Sequence, residues 1–253
     1  MSKRLEGLVA IVAGGGRGIG EAISTRFARE GAAVAIADVD AEAAQRVAEG
    51  IVREGGAAIG IAADVREADA VAAVVSAVLA KWRSIDVLAN VAGGFDKFLP
   101  IAEITDDEWG RVIDHNLKTA FVCARAVVPL MMERKRGRII NIASQAGITA
   151  NPHGPSYLPY GAAKAGVIGF TKLLARDLGP YGITVNAISP GTTATARVRR
   201  LRDPESLARI AALNPMRHMV EPEDTAAAAV FLASEEARYI TGVNFNVNAG
   251  AVM

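Results

Sequence analysis

The sequence has little cysteine, little histidine and almost no net charge. One cysteine, Cys123, and three dispersed histidines rule out an internal disulfide and a Cys-rich metal site, so we expect no metal. Lys and Arg number 28 against 27 Asp and Glu, so no long-range field favours nucleic acid or an anionic membrane as partner. No apolar run reaches the roughly 18 residues that span a bilayer. We expect a soluble, cytoplasmic protein whose partner is a small molecule.

Short apolar runs alternate with helical patterns along the whole chain. The predicted strands are 8–13, 34–37, 58–62, 85–89, 138–142, 183–188 and 244–247. The predicted helices are 21–30, 41–54, 68–81, 106–133, 162–178 and 222–233. This alternation predicts an α/β fold, a single Rossmann-like domain over 1–253 with a doubly wound parallel sheet and helices on both faces. Residues 192–214 are interpreted as a mobile lid over the substrate.

A glycine-rich turn after the first strand is the first chemical signal. Three residues separate Gly14 from Gly18 and one residue separates Gly18 from Gly20, which differs from the G-x-G-x-x-G pattern. The glycines still permit a tight turn against a pyrophosphate. Asp38 closes the second strand 18 residues after Gly20, where a carboxylate can hold ribose hydroxyls. Alternatively, the glycine-rich turn is a loop that binds no ligand, and Asp38 is an ordinary turn residue.

Tyr160 and Lys164 have the spacing that an acid–base pair requires. At positions i and i+4 they share a helix face, and an ammonium group close to a phenol favours the phenolate. Hydride transfer at a carbinol carbon needs an acid–base group and a donor that holds the oxygen, roles that suit Tyr160 and Ser144. The alternative is a pair on the surface of a helix.

Together these features resemble the short-chain dehydrogenase/reductase family from end to end, since Asn90-Val91-Ala92-Gly93 and Pro190-Gly191 also follow predicted strands. The resemblance implies a catalytic group of Asn116, Ser144, Tyr160 and Lys164, with Asn116 holding a water that relays protons to Lys164. It also implies a homotetramer. The residues expected to bind the cofactor are Gly14, Gly16, Arg17, Gly18, Ile19, Asp38, Asp64, Val65, Asn90, Ala92, Gly93, Tyr160, Lys164, Pro190, Gly191, Thr193 and Thr195.

Val91, Ala13 and the interval from Ser144 to the tyrosine depart from the family pattern. Ala13 stands where threonine is usual, so a hydrogen bond to the turn after the fourth strand is expected to be missing, with an effect on stability rather than on activity. Tyr157 lies 13 residues after Ser144 and Tyr160 lies 16 after it, and the shorter interval is nearer to the family's habit. However, a lysine one helical turn later follows only Tyr160, which is therefore assigned the acid–base role, and Tyr157 is assigned to the pocket.

The interpretation is an NAD-dependent enzyme that transfers a hydride between the nicotinamide and a secondary alcohol or ketone, with NADP as the other cofactor. One alternative resembles the NADPH-dependent 3-oxoacyl-[acyl-carrier-protein] reductases. Arg17 in the glycine loop favours it, whereas Tyr181 stands where those enzymes often present a carrier-binding arginine. The other alternative is a dinucleotide sensor without turnover. The lid arginines Arg197, Arg199 and Arg200 are either solvated or hold an anionic substrate.

Overall fold

A computed structural model describes residues 3–150 and 156–252 of the chain. Its strands are β1 Val9–Ala13, β2 Ala33–Asp38, β3 Ala57–Ala62, β4 Val87–Asn90, β5 Gly137–Ile142, β6 Ile183–Pro190 and β7 Asn244–Val247. They form one parallel sheet in the order β3-β2-β1-β4-β5-β6-β7, which confirms the predicted doubly wound architecture. The strand order reverses between β1 and β4, so a crevice opens there at the carboxyl ends of the strands.

Helices cover both faces of the sheet. They are α1 Gly18–Arg29, α2 Ala41–Arg53, α3 Ala68–Trp82, α4 Asp106–Ile113, α5 Thr119–Arg134, α6 Leu158–Leu178, α7 Ala196–Leu201, α8 Pro204–Leu213 and α9 Pro222–Ala233. Apolar side chains of α1, α2 and α9 fill the core on one face, and those of α3, α5 and α6 fill it on the other. No helix within residues 3–150 and 156–252 is long and apolar enough to cross a membrane.

The prediction of one continuous helix over 106–133 is wrong, because the structure divides this segment into two helices. A π-helical turn, Asp114–Lys118, separates α4 from α5, and the Thr119 N–H bonds the Asp114 carbonyl five residues back. The cause is Asn116, whose side-chain Nδ2 donates to the Val112 carbonyl at 2.9 Å, the oxygen that an α-helix would give to the Asn116 backbone. The predicted lid contains the two helices α7 and α8.

A chain of buried hydrogen bonds joins the centre of the sheet to α6. Asn90 Nδ2 donates to Asn141 Oδ1 at 2.8 Å, and Asn141 Nδ2 donates to Thr171 Oγ1 at 2.9 Å. The Thr171 hydroxyl in turn donates to the Val167 carbonyl at 2.8 Å. Since all three side chains are buried, each of these groups depends on the next for its hydrogen bond. The chain therefore fixes the position of α6 over β4 and β5.

Two buried threonines provide a matched test of this chain. Thr171→Val should lower the free energy of unfolding by about 1–3 kcal/mol, because it leaves the Asn141 amide without an acceptor. Thr184 on β6 is also buried, but its hydroxyl has no partner among the described residues. Thr184→Val should therefore be neutral or stabilising. Urea unfolding of both variants checks the difference, and equal losses would contradict the role given to the chain.

Candidate active site

The four predicted catalytic residues converge at the carboxyl edge of the sheet. Tyr160 and Lys164 lie on α6, Ser144 follows β5, and Asn116 lies in the π-helical turn. A Cβ placed on Gly93 would lie 2.6 Å from Asn116 Oδ1 and 3.1 Å from Lys164 Nζ. Tyr160 is hydrogen-bonded to Ser144, and Lys164 Nζ lies 5.8 Å from the centre of the Tyr160 ring. The structure thus places a phenol, an ammonium group, a hydroxyl and an amide around one point.

Lys164 is a buried cation without an acidic partner among the described residues. Its side chain is 3 % exposed, and Nζ donates to the Ile142 carbonyl, at the end of β5, at 2.7 Å. Burial lowers the pKa of Lys164 to about 8. Burial also raises the pKa of Tyr160, and the hydrogen bond from Ser144 opposes that rise. The phenol is therefore protonated near neutral pH, beside an ammonium group that stabilises the phenolate once the proton has left.

The side chain of Asn116 is occupied by the loop that follows β4. Asn116 Oδ1 accepts the Gly94 N–H at 2.8 Å, and Nδ2 donates to the Gly94 carbonyl at 2.9 Å as well as to Val112. In this arrangement the amide anchors the loop beside Lys164. The water relay that the family resemblance implies for Asn116 stays a prediction.

The glycine loop has the shape of a dinucleotide cradle. A Cβ on Gly14, whose φ is +80°, would lie 2.6 Å from the Ala92 nitrogen, so only glycine fits there. Arg17 precedes α1 without a side-chain cap, which leaves the first N–H groups of that helix facing the loop. The Ala13 carbonyl accepts the N–H groups of Val91 and Ala92, each at 2.8 Å, so backbone bonds join the two turns although the threonine is missing.

Asp38, which the sequence predicts to hold ribose hydroxyls, has two backbone donors on its carboxylate. Oδ2 accepts the Gly16 N–H at 2.9 Å and Oδ1 accepts the Asp40 N–H at 3.0 Å. Arg17 is hydrogen-bonded to the Asp40 carboxylate, and Arg46 pairs with Glu21 at 2.6 Å. Both arginines near the loop are therefore neutralised by acids of this chain.

The remaining cofactor candidates differ in what occupies their side chains. Asp64 is bound by Arg66, first through the Arg66 side chain and also through its backbone N–H, and this holds the pKa of Asp64 at about 2. Asn90 braces β5 through Asn141, as described above. On the opposite rim, Thr195 caps α7, and a Cβ on Gly18 would lie 3.1 Å from its methyl group. Thr195 therefore faces the glycine loop across the crevice. Among the other candidates, Val65 is buried, Ala92 is half-buried and Ile19 packs on the core. Pro190 is the last residue of β6, and the Thr193 hydroxyl donates to the Gly191 carbonyl.

Two of the lid arginines, Arg197 and Arg199, are paired with acids, whereas Arg200 is exposed and forms no ion pair with the described residues. Arg197 binds Asp96 at 3.1 Å, and Arg199 binds Glu221 at 3.2 Å. Asp96 also binds Arg111 at 3.2 Å, so its one carboxylate connects the lid to α4. The sequence also offers His153, between Ser144 and Tyr160, either as a residue of the substrate pocket or as a solvated loop histidine, and it lies outside the described residues. These ion pairs offer no free lid cation at Arg197 or Arg199 for an anionic substrate.

Sequence reasoning missed Glu108, and it included Phe95 only as part of a loop, residues 94–99, that is expected to shape the pocket. Tyr157, only 3 % exposed, donates its hydroxyl hydrogen to the Glu108 carboxylate, which Arg111 also binds at 3.0 Å. Thr105 and Glu108 have the spacing of a capping box, and that signal indicates only the start of α4. Thr105 Oγ1 does accept the Glu108 N–H at 3.2 Å, but the Glu108 side chain points to the active-site aromatics instead.

Burial shifts the pKa of two further side chains. Cys123 is buried, and burial raises the pKa of its thiol to about 12. Burial lowers the pKa of His115, next to Asn116. In the part of the chain that the structure describes, no cluster of His, Cys, Asp and Glu could hold a metal ion.

Known proteins resemble this chain over nearly its whole length. A family model described as enoyl-(acyl carrier protein) reductase matches residues 13–252. A 3-oxoacyl-[acyl-carrier-protein] reductase of Synechocystis sp. is 41 % identical over 247 residues, covering 97 % of both chains. The reductase of the same name from Vibrio cholerae is 37 % identical over 249 residues, covering 98 % of this chain and 99 % of its own. A crystal structure of a 3-oxoacyl-[acyl-carrier protein] reductase from Brucella melitensis with bound NAD superposes with a TM-score of 0.89 at 36 % identity, covering 99 % of this chain and 94 % of that one.

The buried ammonium of Lys164 predicts a pH-dependent stability. The unfolded lysine holds its proton up to the ordinary value of 10.5, whereas the folded one releases it at about 8. Raising the pH from 8 towards 10 should therefore stabilise the wild type relative to Lys164→Met, by roughly 1 kcal/mol per pH unit. Urea unfolding across this range measures the difference. Lys172→Met, which removes an exposed lysine from the same helix, is the control, and a pH-independent difference for Lys164→Met would contradict the burial argument.

Proposed function

We propose, from the premise that this chain belongs to the short-chain dehydrogenase/reductase family, that it reduces the keto group of 3-oxoacyl thioesters with a nicotinamide cofactor. The chain is an oxidoreductase of that family. The observation that carries the proposal is the convergence of Tyr160, Lys164 and Ser144 beside Gly93, next to a glycine loop with the shape of a dinucleotide cradle. A dinucleotide sensor would need the cradle but not this acid–base group.

The chemistry follows from the protonation states of the site. Ser144 donates a hydrogen bond to the keto oxygen, and Tyr160, protonated near neutral pH, transfers its proton to the same oxygen. When bound, the reduced nicotinamide supplies the hydride that the keto carbon accepts. The Lys164 ammonium stabilises the phenolate that Tyr160 becomes, so a secondary alcohol leaves and Tyr160 regains a proton from solvent. Oxidation of an alcohol is the reverse, with the Tyr160 phenolate as base.

The relatives favour the thioester reductase alternative over a general alcohol dehydrogenase. The similar proteins named above are 3-oxoacyl-[acyl-carrier-protein] reductases, and the similarity extends over nearly the whole length of each. Tyr181, which is 36 % exposed, occupies the place where the family's carrier-binding members often present arginine. We therefore propose a 3-oxoacyl thioester as the substrate. Whether the enzyme requires a carrier protein is tested by comparing its turnover of carrier-bound and small thioesters.

Charge around the glycine loop favours NADH over NADPH. A 2′-phosphate would meet the carboxylates of Asp38 and Asp40, and each unfavourable contact at about 4 Å costs roughly 4 kcal/mol at an effective dielectric constant near 20. Arg17, the cation that could compensate, is hydrogen-bonded to Asp40. Ribose hydroxyls, in contrast, can donate to the free lone pairs of Asp38.

We expect the wild type to have a higher kcat/KM with NADH than with NADPH, and Asp38→Ala to lower that ratio at least tenfold. Asp40→Asn retains an oxygen that accepts the Ala43 N–H and so keeps the cap of α2. The same change frees Arg17, so it should raise kcat/KM with NADPH. Steady-state kinetics with both cofactors measures these ratios. A wild type that uses NADPH as well as NADH, or an Asp38→Ala variant with an unchanged ratio, would contradict the cofactor assignment.

The reaction itself is tested by removing one hydroxyl from each of the two tyrosines. The wild type should reduce 3-oxobutanoyl and 3-oxooctanoyl N-acetylcysteamine thioesters. Tyr160→Phe should lower kcat by on the order of 10²–10⁴ while NADH binding, followed by fluorescence, is retained. Tyr157→Phe, the matched control, should change mainly KM. The opposite pattern would move the acid–base role to Tyr157, and absence of thioester turnover by the wild type would contradict the substrate class.

A further inference from the structure

The loop after β4 places one aromatic ring against Tyr160. The centre of the Phe95 ring lies 4.8 Å from that of Tyr160, with the two rings tilted by 54°. Gly94 turns the chain into this position with a φ of +132°, a backbone conformation that residues with a side chain rarely adopt. Asn116 holds both backbone groups of Gly94, so the position of Phe95 is fixed by the catalytic centre itself.

A second aromatic ring and an ion pair support Phe95 from behind. The Tyr157 ring lies 5.2 Å from that of Phe95, and its hydroxyl donates to Glu108. Burial and the Glu108 carboxylate raise the pKa of Tyr157 to about 12, and Arg111 and Tyr157 together hold the pKa of Glu108 at about 2. Tyr157 therefore stays neutral and supports the Phe95 ring instead of exchanging protons.

The charges of this region lie on the outer side of the aromatic cluster. Asp96, next to Phe95 in sequence, has a side chain that is 72 % exposed and bridges Arg111 and Arg197. Phe98 packs on Phe95 at 4.9 Å and on Tyr157 at 6.3 Å, and it is 45 % exposed. The surface next to the Tyr160 ring is thus aromatic, whereas the rim beyond it is charged.

We propose that Phe95 determines the specificity of the reaction, by contacting the alkyl group on the keto carbon, and that the site prefers medium-chain over acetoacetyl-sized 3-oxoacyl groups. The inference rests on the proposed function. A keto oxygen bonded to the Tyr160 hydroxyl brings the substituents of its carbon next to the ring that packs on Tyr160. Each methylene buried against such a wall is worth roughly fourfold in kcat/KM.

Phe95→Ala and Phe98→Ala form the test pair. Each variant removes one phenyl ring, but of the two rings only that of Phe95 contacts Tyr160. With NADH and the full chain, the wild type should have a higher kcat/KM for the 3-oxooctanoyl than for the 3-oxobutanoyl thioester. Phe95→Ala should lower kcat/KM at least tenfold for the long substrate and at most threefold for the short one, mainly through KM. Phe98→Ala should change the ratio between the substrates less than threefold.

Equal losses on both substrates, through kcat, would show that Phe95 only positions Tyr160 and would overturn the proposal. Phe95→Leu keeps an apolar side chain and should retain most of the chain-length ratio, so it carries the test if the alanine variant does not fold. If the wild type reduces no thioester, the proposed substrate class fails separately. The ratio is then measured with 2-octanone and 2-butanone, where an unchanged ratio in Phe95→Ala again overturns the role of Phe95.

Discussion

The active site depends on the buried hydrogen-bond chain from Asn90 through Asn141 to Thr171. This chain passes from β4 to β5 and on to α6, and all of its side chains are buried. Because a buried amide without a partner costs more than a hydrogen bond returns, the helix cannot slide or rotate without breaking a member of the chain. Tyr160 and Lys164 lie on the same helix, about three and about two turns before Thr171. Their positions over the sheet are therefore set by residues that take no part in the chemistry.

Lys164 shows what the site requires of the fold. An ammonium group that has, among the described residues, no acid near it and one carbonyl as partner is unfavourable in a buried place, and its lowered pKa reflects that cost. In the proposed mechanism the same isolation strengthens the effect of this charge on the neighbouring phenol, since no carboxylate in the described chain competes for it. Stability and reactivity are opposed at this position, as is common where an ionisable group is held for catalysis.

Local sequence patterns were sufficient for the sheet and for the glycine loop, because buried parallel strands and tight turns select their residues locally. They were also sufficient to bring Tyr160 and Lys164 to one helix face, since that requires only a spacing of four. The break at Asn116 was not predictable, because it arises when a side chain takes the Val112 carbonyl from the backbone. The bond between Glu108 and Tyr157 joins residues 49 positions apart, and the capping pattern around Thr105 gave Glu108 a sufficient local explanation. The contact of Phe95 with Tyr160 likewise depends on how the loop is anchored.

The π-helical turn at Asp114–Lys118 has a consequence for the evolution of this region. One extra residue in a helix advances the faces that follow it by about 100°, since an α-helix has 3.6 residues per turn. In this chain the extra residue lets α5 pack into the core while α4 directs Glu108 and Arg111 towards the aromatic cluster. A single-codon deletion within this turn would restore a regular helix and rotate one of the two segments away from its contacts. The length of this segment is therefore constrained more tightly than the identity of most of its residues.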